Sequence, residues 1–174
     1  MQSVKIVVTG PFNAGKTTFI KAVSEITVLS TEREVSDVSG EGTGETTVAM
    51  DFGRITVSDD VVLYLFGTPG QSRFSFMWET LSEGMLGFVV LVDAFSADSI
   101  SDAREMIEFF TARSDVPFVL AVNKIDEDDD AILAQVRESL GADHAKMVPV
   151  DARDRESVKA VLLALLYEIV DSAS

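Results

Sequence analysis

The chain has no cysteine, which excludes disulfides, thiolate metal sites and prenyl or palmitoyl attachment. Positive charge is scarce: 14 Lys and Arg stand against 29 Asp and Glu, a formal net charge of −15. So acidic a balance argues against a nucleic-acid backbone or an anionic membrane surface as ligand; it favours solubility and a basic protein partner. The sole histidine, His144, has no sequence context that assigns it a role. No apolar run approaches the ~20 residues that span a bilayer, and no charged-then-apolar leader opens the chain. Gln2 excludes N-myristoylation. The expectation is a cytoplasmic protein without a membrane anchor.

What is present suffices for one core. The chain has 174 residues, 47% of them hydrophobic, which reads as a single domain over 1–174. Strand-like apolar runs recur at 5–9, 47–57, 61–66, 87–92, 118–122 and 147–150. Helical spacing marks 17–26, 72–85, 97–112, 131–140 and 156–170. Strands alternating with helices predict a mostly parallel six-stranded sheet covered on both faces. Only Ser58, Asp59 and Asp60 separate the second and third runs. That gap suits a hairpin and hence one antiparallel strand at a sheet edge. By composition, residues 30–46, rich in Ser, Glu and Gly, read as a solvated loop. Their place between the first helix and the hairpin also suits a binding element. The acidic run 126–130 reads as a solvated face with a helix start behind it.

The first apolar run leads directly into Gly10-Pro11-Phe12-Asn13-Ala14-Gly15-Lys16-Thr17, and a helical pattern opening with Thr18 and Phe19 follows. This is G-x-x-x-x-G-K-T between a strand and a helix, the context a P-loop requires. Glycines at both ends let the backbone N–H groups of Gly10, Asn13, Ala14 and Gly15 turn toward phosphate oxygens at the positive end of the helix. Lys16 would reach the β- and γ-phosphates, and the Thr17 hydroxyl would ligate Mg²⁺. At the end of the fifth run stands Asn123-Lys124-Ile125-Asp126, an N-K-x-D at the carboxyl end of a strand, where open parallel sheets bind ligands. A carboxylate at Asp126 can accept from the ring N–H and exocyclic amine of guanine, a donor pair that adenine lacks. Asp151-Ala152-Arg153, after the last run, lies where a backbone N–H could meet the guanine carbonyl.

On these motifs the chain resembles the Ras-like small GTPases, a P-loop three-layer α/β sandwich. The closest resemblance is to a bacterial branch that includes the gliding-motility polarity GTPase and conservon-encoded GTPases. The closer likeness is carried by Thr46-Thr47-Val48-Ala49-Met50-Asp51-Phe52-Gly53, by Leu65-Phe66-Gly67-Thr68-Pro69-Gly70-Gln71 and by residues 151–157. The resemblance implies GTP and GDP as ligands with Mg²⁺. Thr47, or its neighbour Thr46, would close on the metal and γ-phosphate. Gly70 would donate its N–H to the γ-phosphate, and Gln71 would orient the attacking water. It also implies protein partners at the switch surface, a roadblock-type protein or a sensor kinase, and a monomer or nucleotide-dependent dimer.

The pattern departs in two places. Gly67 stands where Ras-like proteins usually carry the aspartate that holds Mg²⁺ through water, and Asp51, on the pairing strand, is a candidate substitute. Phe12 replaces a common glycine and would crowd Gln71 or an incoming arginine. No arginine takes an obvious cis-finger position, although Arg33 and Arg54 come near in sequence. Phe76 and Trp78, after switch II, could form a switch-dependent contact patch or simply pack in the core. The reading is a slow GTPase switch: unassisted Ras-type turnover is already on the order of 10⁻⁴ per second. A GTP-binding module with little hydrolysis is the first alternative and a small-molecule kinase the second.

Overall fold

The computed structural model describes residues 1–36, 45–70, 75–125 and 129–173. In β1 (Gln2–Thr9) alternate side chains enter two different cores, so the strand is a central one. Ile6 and Val8 face α1 (Lys16–Val23) and α5 (Arg155–Ala173), packing on Phe19, Ile20, Val161 and Leu165. Val7 faces the other way, into a cluster with Phe88, Trp78, Met106, Phe110 and Val136. That second layer is closed by α2 (Phe76–Ser82), α3 (Ala97–Arg113) and α4 (Asp130–Leu140). Each fully buried Leu, Ile or Phe contributes about 1.5–3 kcal/mol through lost water contact. Two such layers on one sheet are the three-layer α/β sandwich expected from the alternation of elements.

The remaining strands are β2 (Leu29–Ser36), β3 (Glu45–Ser58), β4 (Val61–Gly67), β5 (Gly87–Asp93), β6 (Phe118–Asn123) and β7 (Lys146–Val150). They lie in the order β2-β3-β4-β1-β5-β6-β7. Pairings of β1 with β4 and β5, of β5 with β6 and of β6 with β7 are parallel. The β3–β4 pair is the expected antiparallel hairpin, with a register shift between Thr56 and Ser58. All six strands read from the sequence are present, and β2 adds a seventh outside β3. Strand β2, with the start of β3, corrects the reading of 30–46 as a loop over 30–36 and 45–46; 37–44 lie outside the described residues. Its sequence, LSTEREVS, carries no apolar run because an edge strand needs only its backbone to pair. β3 is long, and its first part, Glu45 to Met50, pairs with β2 alone, forming a two-stranded ribbon beyond the end of β4.

Helix α2 is shorter than the predicted 72–85. It ends at Ser82, and Gly84 follows in the left-handed region at φ 76°. Among the described residues no helix is long and apolar enough to cross a membrane. The carboxyl ends of β1, β5, β6 and β7 converge on one side of the sheet, where the loops carrying Gly10, Asp93, Asn123 and Asp151 meet. His144 lies at the opposite end, in a cleft with Pro117, Lys146 and Glu168.

Candidate functional site

The turn from β1 into α1 is made by residues that tolerate positive φ: Asn13 at 66° and Gly15 at 109°. Gly10 has no room for a side chain, because a Cβ there would run into the Leu91 carbonyl. A Cβ on Gly15 would meet Asn123 Nδ2 at 2.7 Å. Lys16 reaches back over the loop and donates from Nζ to the carbonyls of Gly10 (2.5 Å) and Pro11 (2.8 Å). Burial pushes its pKa down to about 8, against the attraction of the Asp51 carboxylate. The charge thus rests against the loop whose amides would cradle a phosphate.

In the first turn of the helix, Thr17 donates its hydroxyl to Asp51 Oδ2 at 2.5 Å. Asp51 is buried on β3 and faces Gly67 across the hairpin. A Cβ built at Gly67 would stand 3.2 Å from the Asp51 Cβ and 3.5 Å from its Oδ2. The carboxylate absent from position 67 is therefore replaced in space by one arriving from the neighbouring strand. A hydroxyl and a carboxylate are the hard oxygen donors Mg²⁺ takes, so these residues fit the ion. No group of three or more His, Asp or Glu that could hold a metal is found among the described residues. An ion here would thus complete its shell with phosphate oxygens and water.

Thr47 does not join this pair. Its backbone is opposite Glu34 in the β2–β3 ribbon, four positions before Asp51 and hence about 13 Å up the strand. Thr46 is one step further, opposite Val35. Gly70 is at the phosphate end: a Cβ on it would come within 2.5 Å of Phe12 N and 2.8 Å of Lys16 Nζ, so only glycine fits so close to the P-loop. The segment before it is pinned by Thr68 N–H to the Val8 carbonyl (3.0 Å) and by the paired hydroxyls of Thr68 and Thr9 (2.8 Å). Gln71 lies outside the described residues. Phe12 is exposed.

Trp78 is not a surface contact. It is 1% exposed, donates Nε1–H to the Pro69 carbonyl at 3.0 Å, and meets Phe109 edge-on at 5.3 Å. Of the two aromatics after switch II, only Phe76 is exposed. Arg54 is not at the phosphate end either. It stands three residues past Asp51, on the opposite face of β3, and its Nε is buried without a hydrogen-bond partner among the described residues.

At the base end, Asn123 works as a brace. Its Nδ2 donates to the Ala14 carbonyl at 3.0 Å, and its Oδ1 accepts from the Ala152 N–H at 3.2 Å. One buried amide thus ties the P-loop to the loop after β7. Of the backbone N–H groups in Asp151-Ala152-Arg153, where one was expected to meet a guanine carbonyl, that of Ala152 is given to Asn123 in this arrangement. Arg153 folds onto Asp151, with Nε to Oδ1 at 3.0 Å and Nη2 to Oδ2 at 3.2 Å, and its backbone N–H also binds Oδ1 at 3.0 Å. These bonds hold the Asp151 carboxyl below its ordinary range and raise Arg153 further. Lys124 takes a left-handed backbone, φ 69°, and pairs with Asp93. Asp126 lies outside the described residues. Asp93 was not singled out by sequence; its place at the carboxyl end of β5, in register with Asn123, was the available signal.

Residues 28–172 match the family described as conserved hypothetical ATP binding protein. That stretch begins after the P-loop, so the phosphate-end reading rests on residues 10–17 themselves. The chain is 32% identical over 126 residues to an uncharacterized protein of Methanocaldococcus jannaschii, covering 72% of this chain and 73% of that one. It is 28% identical over 131 residues to ADP-ribosylation factor-like protein 8c of Arabidopsis thaliana, covering 74% and 64%. It is 29% identical over 126 residues to translation initiation factor IF-2 of Rickettsia felis, covering 71% of this chain and 14% of that protein.

Proposed function

The chain belongs to the family of conserved hypothetical ATP-binding proteins, and from that premise we propose that this nucleotide-binding P-loop protein is a guanine-nucleotide switch with slow, Mg²⁺-dependent GTP hydrolysis. The observation that carries the reading is the brace at Asn123, which joins an N-K-x-D motif to the P-loop through Ala14 and to the loop after β7 through Ala152. A P-loop alone serves either purine. The likenesses to an ADP-ribosylation factor-like protein and an initiation factor are in keeping with a small-GTPase relationship. The family's own description points to ATP; against it, Asp126 is a carboxylate suited to the guanine donor edge.

In this reading Gly10, Asn13, Ala14, Gly15, Lys16, Thr17 and Thr18 receive the phosphates, and Asn123, Lys124, Asp126 and Asp151–Arg153 receive the base. Thr17 and Asp51 hold Mg²⁺, which when bound would neutralise phosphate charge. Gly70 and Gln71 sense the γ-phosphate and position water, and Thr47 joins them if the ribbon carrying it rearranges. Activating and effector proteins bind the switch surface, a roadblock-type protein or a sensor kinase among them by resemblance. A second reading, a binding module with little hydrolysis, is favoured by Gly67, by the distance of Thr47 from Thr17 and by Arg54 facing away from the phosphates.

Paired titrations with GTP and ATP test the base: GTP should bind at least ~100-fold tighter, since a site built to pair with donors rejects a ligand lacking them. Equal affinity sinks the guanine assignment. Phosphate release from bound GTP, with and without a basic candidate partner, separates the switch from the module.

A further inference from the structure

We propose that Asp93 is a positioning residue for the nucleotide base, a latch that holds Lys124 and the β5–α3 loop in the arrangement from which the N-K-x-D loop can grip a purine. The proposal rests on the base-site reading above and adds a residue that none of its motifs contains. Asp93 ends β5 directly beside Asn123, the last residue of β6. Its two carboxylate oxygens have separate tasks. Oδ2 accepts from Lys124 Nζ at 2.9 Å, and Oδ1 accepts from the Phe95 N–H at 2.9 Å. The backbone around it is fixed as well. Asp93 N–H binds Ser99 Oγ at 3.0 Å, and the next N–H, of Ala94, binds the Asn123 carbonyl at 3.4 Å.

Lys124 holds a backbone conformation that residues with a side chain rarely take. A strained backbone persists where its surroundings fix it, and here the ion pair does so. The Asp93 side chain is only 16% exposed and that of Lys124 52%, so solvent screens the pair on one side only. Fixing the ammonium on Asp93 restrains the four-carbon stem of Lys124 and, with it, the left-handed backbone at that residue. A purine binding there meets a Lys124 already held in place, which lowers the ordering cost of capture and slows release.

The test is release of preloaded fluorescent GDP, and of the ADP counterpart, from the parent and from Asp93→Asn, which keeps an acceptor for Phe95 but loses the charge facing Lys124. Release from Asp93→Asn should be roughly tenfold faster, with single-turnover hydrolysis of bound GTP and the melting temperature of the nucleotide-free protein unchanged. Asp93→Glu should recover part of the retention. Lys124→Met, which leaves Asp93 and the α3 start intact, should release as fast as Asp93→Asn, and the double variant no faster than either single one. Parental release rates in both Asp93→Asn and Lys124→Met would overturn the latch while leaving guanine binding in place. A parent that retains ADP as long as GDP, with Asp93→Asn hastening both, would remove the guanine reading and keep the latch.

Discussion

The two ends of the candidate site are built from different materials. At the phosphate end the work is done by backbone and close packing: Gly10 against Leu91, Gly70 against Phe12 and Lys16, and Lys16 on two carbonyls. At the base end it is done by side chains in pairs: Asn123 on Ala14 and Ala152, Lys124 on Asp93, Arg153 on Asp151. Backbone contacts admit almost no substitution, because there is no smaller residue than glycine and no second route for the chain. Side-chain pairs can be exchanged one at a time with graded effect. The phosphate end is therefore the part least tolerant of substitution and the base end the adjustable part.

The comparison breaks first at Lys16. Lys16→Ala removes the principal side-chain charge facing the phosphates, and nucleotide affinity by calorimetry should fall by at least ~10³-fold; binding within tenfold of the parent would show that the loop amides suffice. Asn123→Ala comes next, since it leaves the Ala14 carbonyl and the Ala152 N–H without their partner at both ends together. A buried unsatisfied group costs about 1–3 kcal/mol, so affinity should drop on the order of 100-fold. A drop confined to base discrimination, with phosphate contacts intact, would mean the two ends are not coupled through this amide.

Asp51→Asn sharpens the contrast within the phosphate end. If the carboxylate from β3 serves the metal, the Mg²⁺ concentration for half-maximal GTP binding should rise about tenfold while metal-free GDP binding stays near parental. An unchanged Mg²⁺ titration would make Asp51 only the partner of Thr17. The smallest effect belongs to Asp151→Asn, at a surface pair whose Asp151 side chain is half exposed and whose Arg153 side chain is exposed, so that water screens it. Nucleotide release should quicken about two- to threefold at neutral pH. Because the folded Asp151 carboxyl is held below its ordinary range, its contribution is present above the unfolded aspartate value of 3.8 and is lost as pH falls through the folded one. The difference between parent and variant should accordingly vanish in stronger acid, and a difference that persists there would assign the effect to shape rather than charge.

What was legible in the sequence follows the same division. The P-loop could be read because its glycines answer to a backbone requirement that few other residues meet, and the runs of β1, β5 and β6 because a strand buried on both faces must be apolar throughout. Strand β2 was not legible: LSTEREVS pairs through amides and carbonyls that every residue carries. Trp78 read equally as core or as surface because α2 holds more apolar residues than one face needs, and only its bond to the Pro69 carbonyl settles it inward. Asp51 was half legible, as a carboxylate on the strand opposite the missing one, but its bond to Thr17 depends on hairpin register that no local pattern encodes. Asp93 was not singled out at all: one of its partners, the Phe95 N–H, is two residues on, but the other, Lys124, is 31 residues away and is brought beside it only by the pairing of β5 with β6.

The brace at Asn123 also sets an order of events in the making of the chain. Its amide and the Ala14 carbonyl are 109 residues apart, and contacts of such long range form late, after the loop between them has closed. The P-loop leaves the ribosome early, yet it waits without its brace until β6 has been synthesised and has settled beside β5. Nascent chains stalled before residue 123 should therefore carry a complete phosphate-loop sequence and no measurable hold on nucleotide, and capacity for ligand should arrive abruptly once β6 and the loop after β7 have emerged.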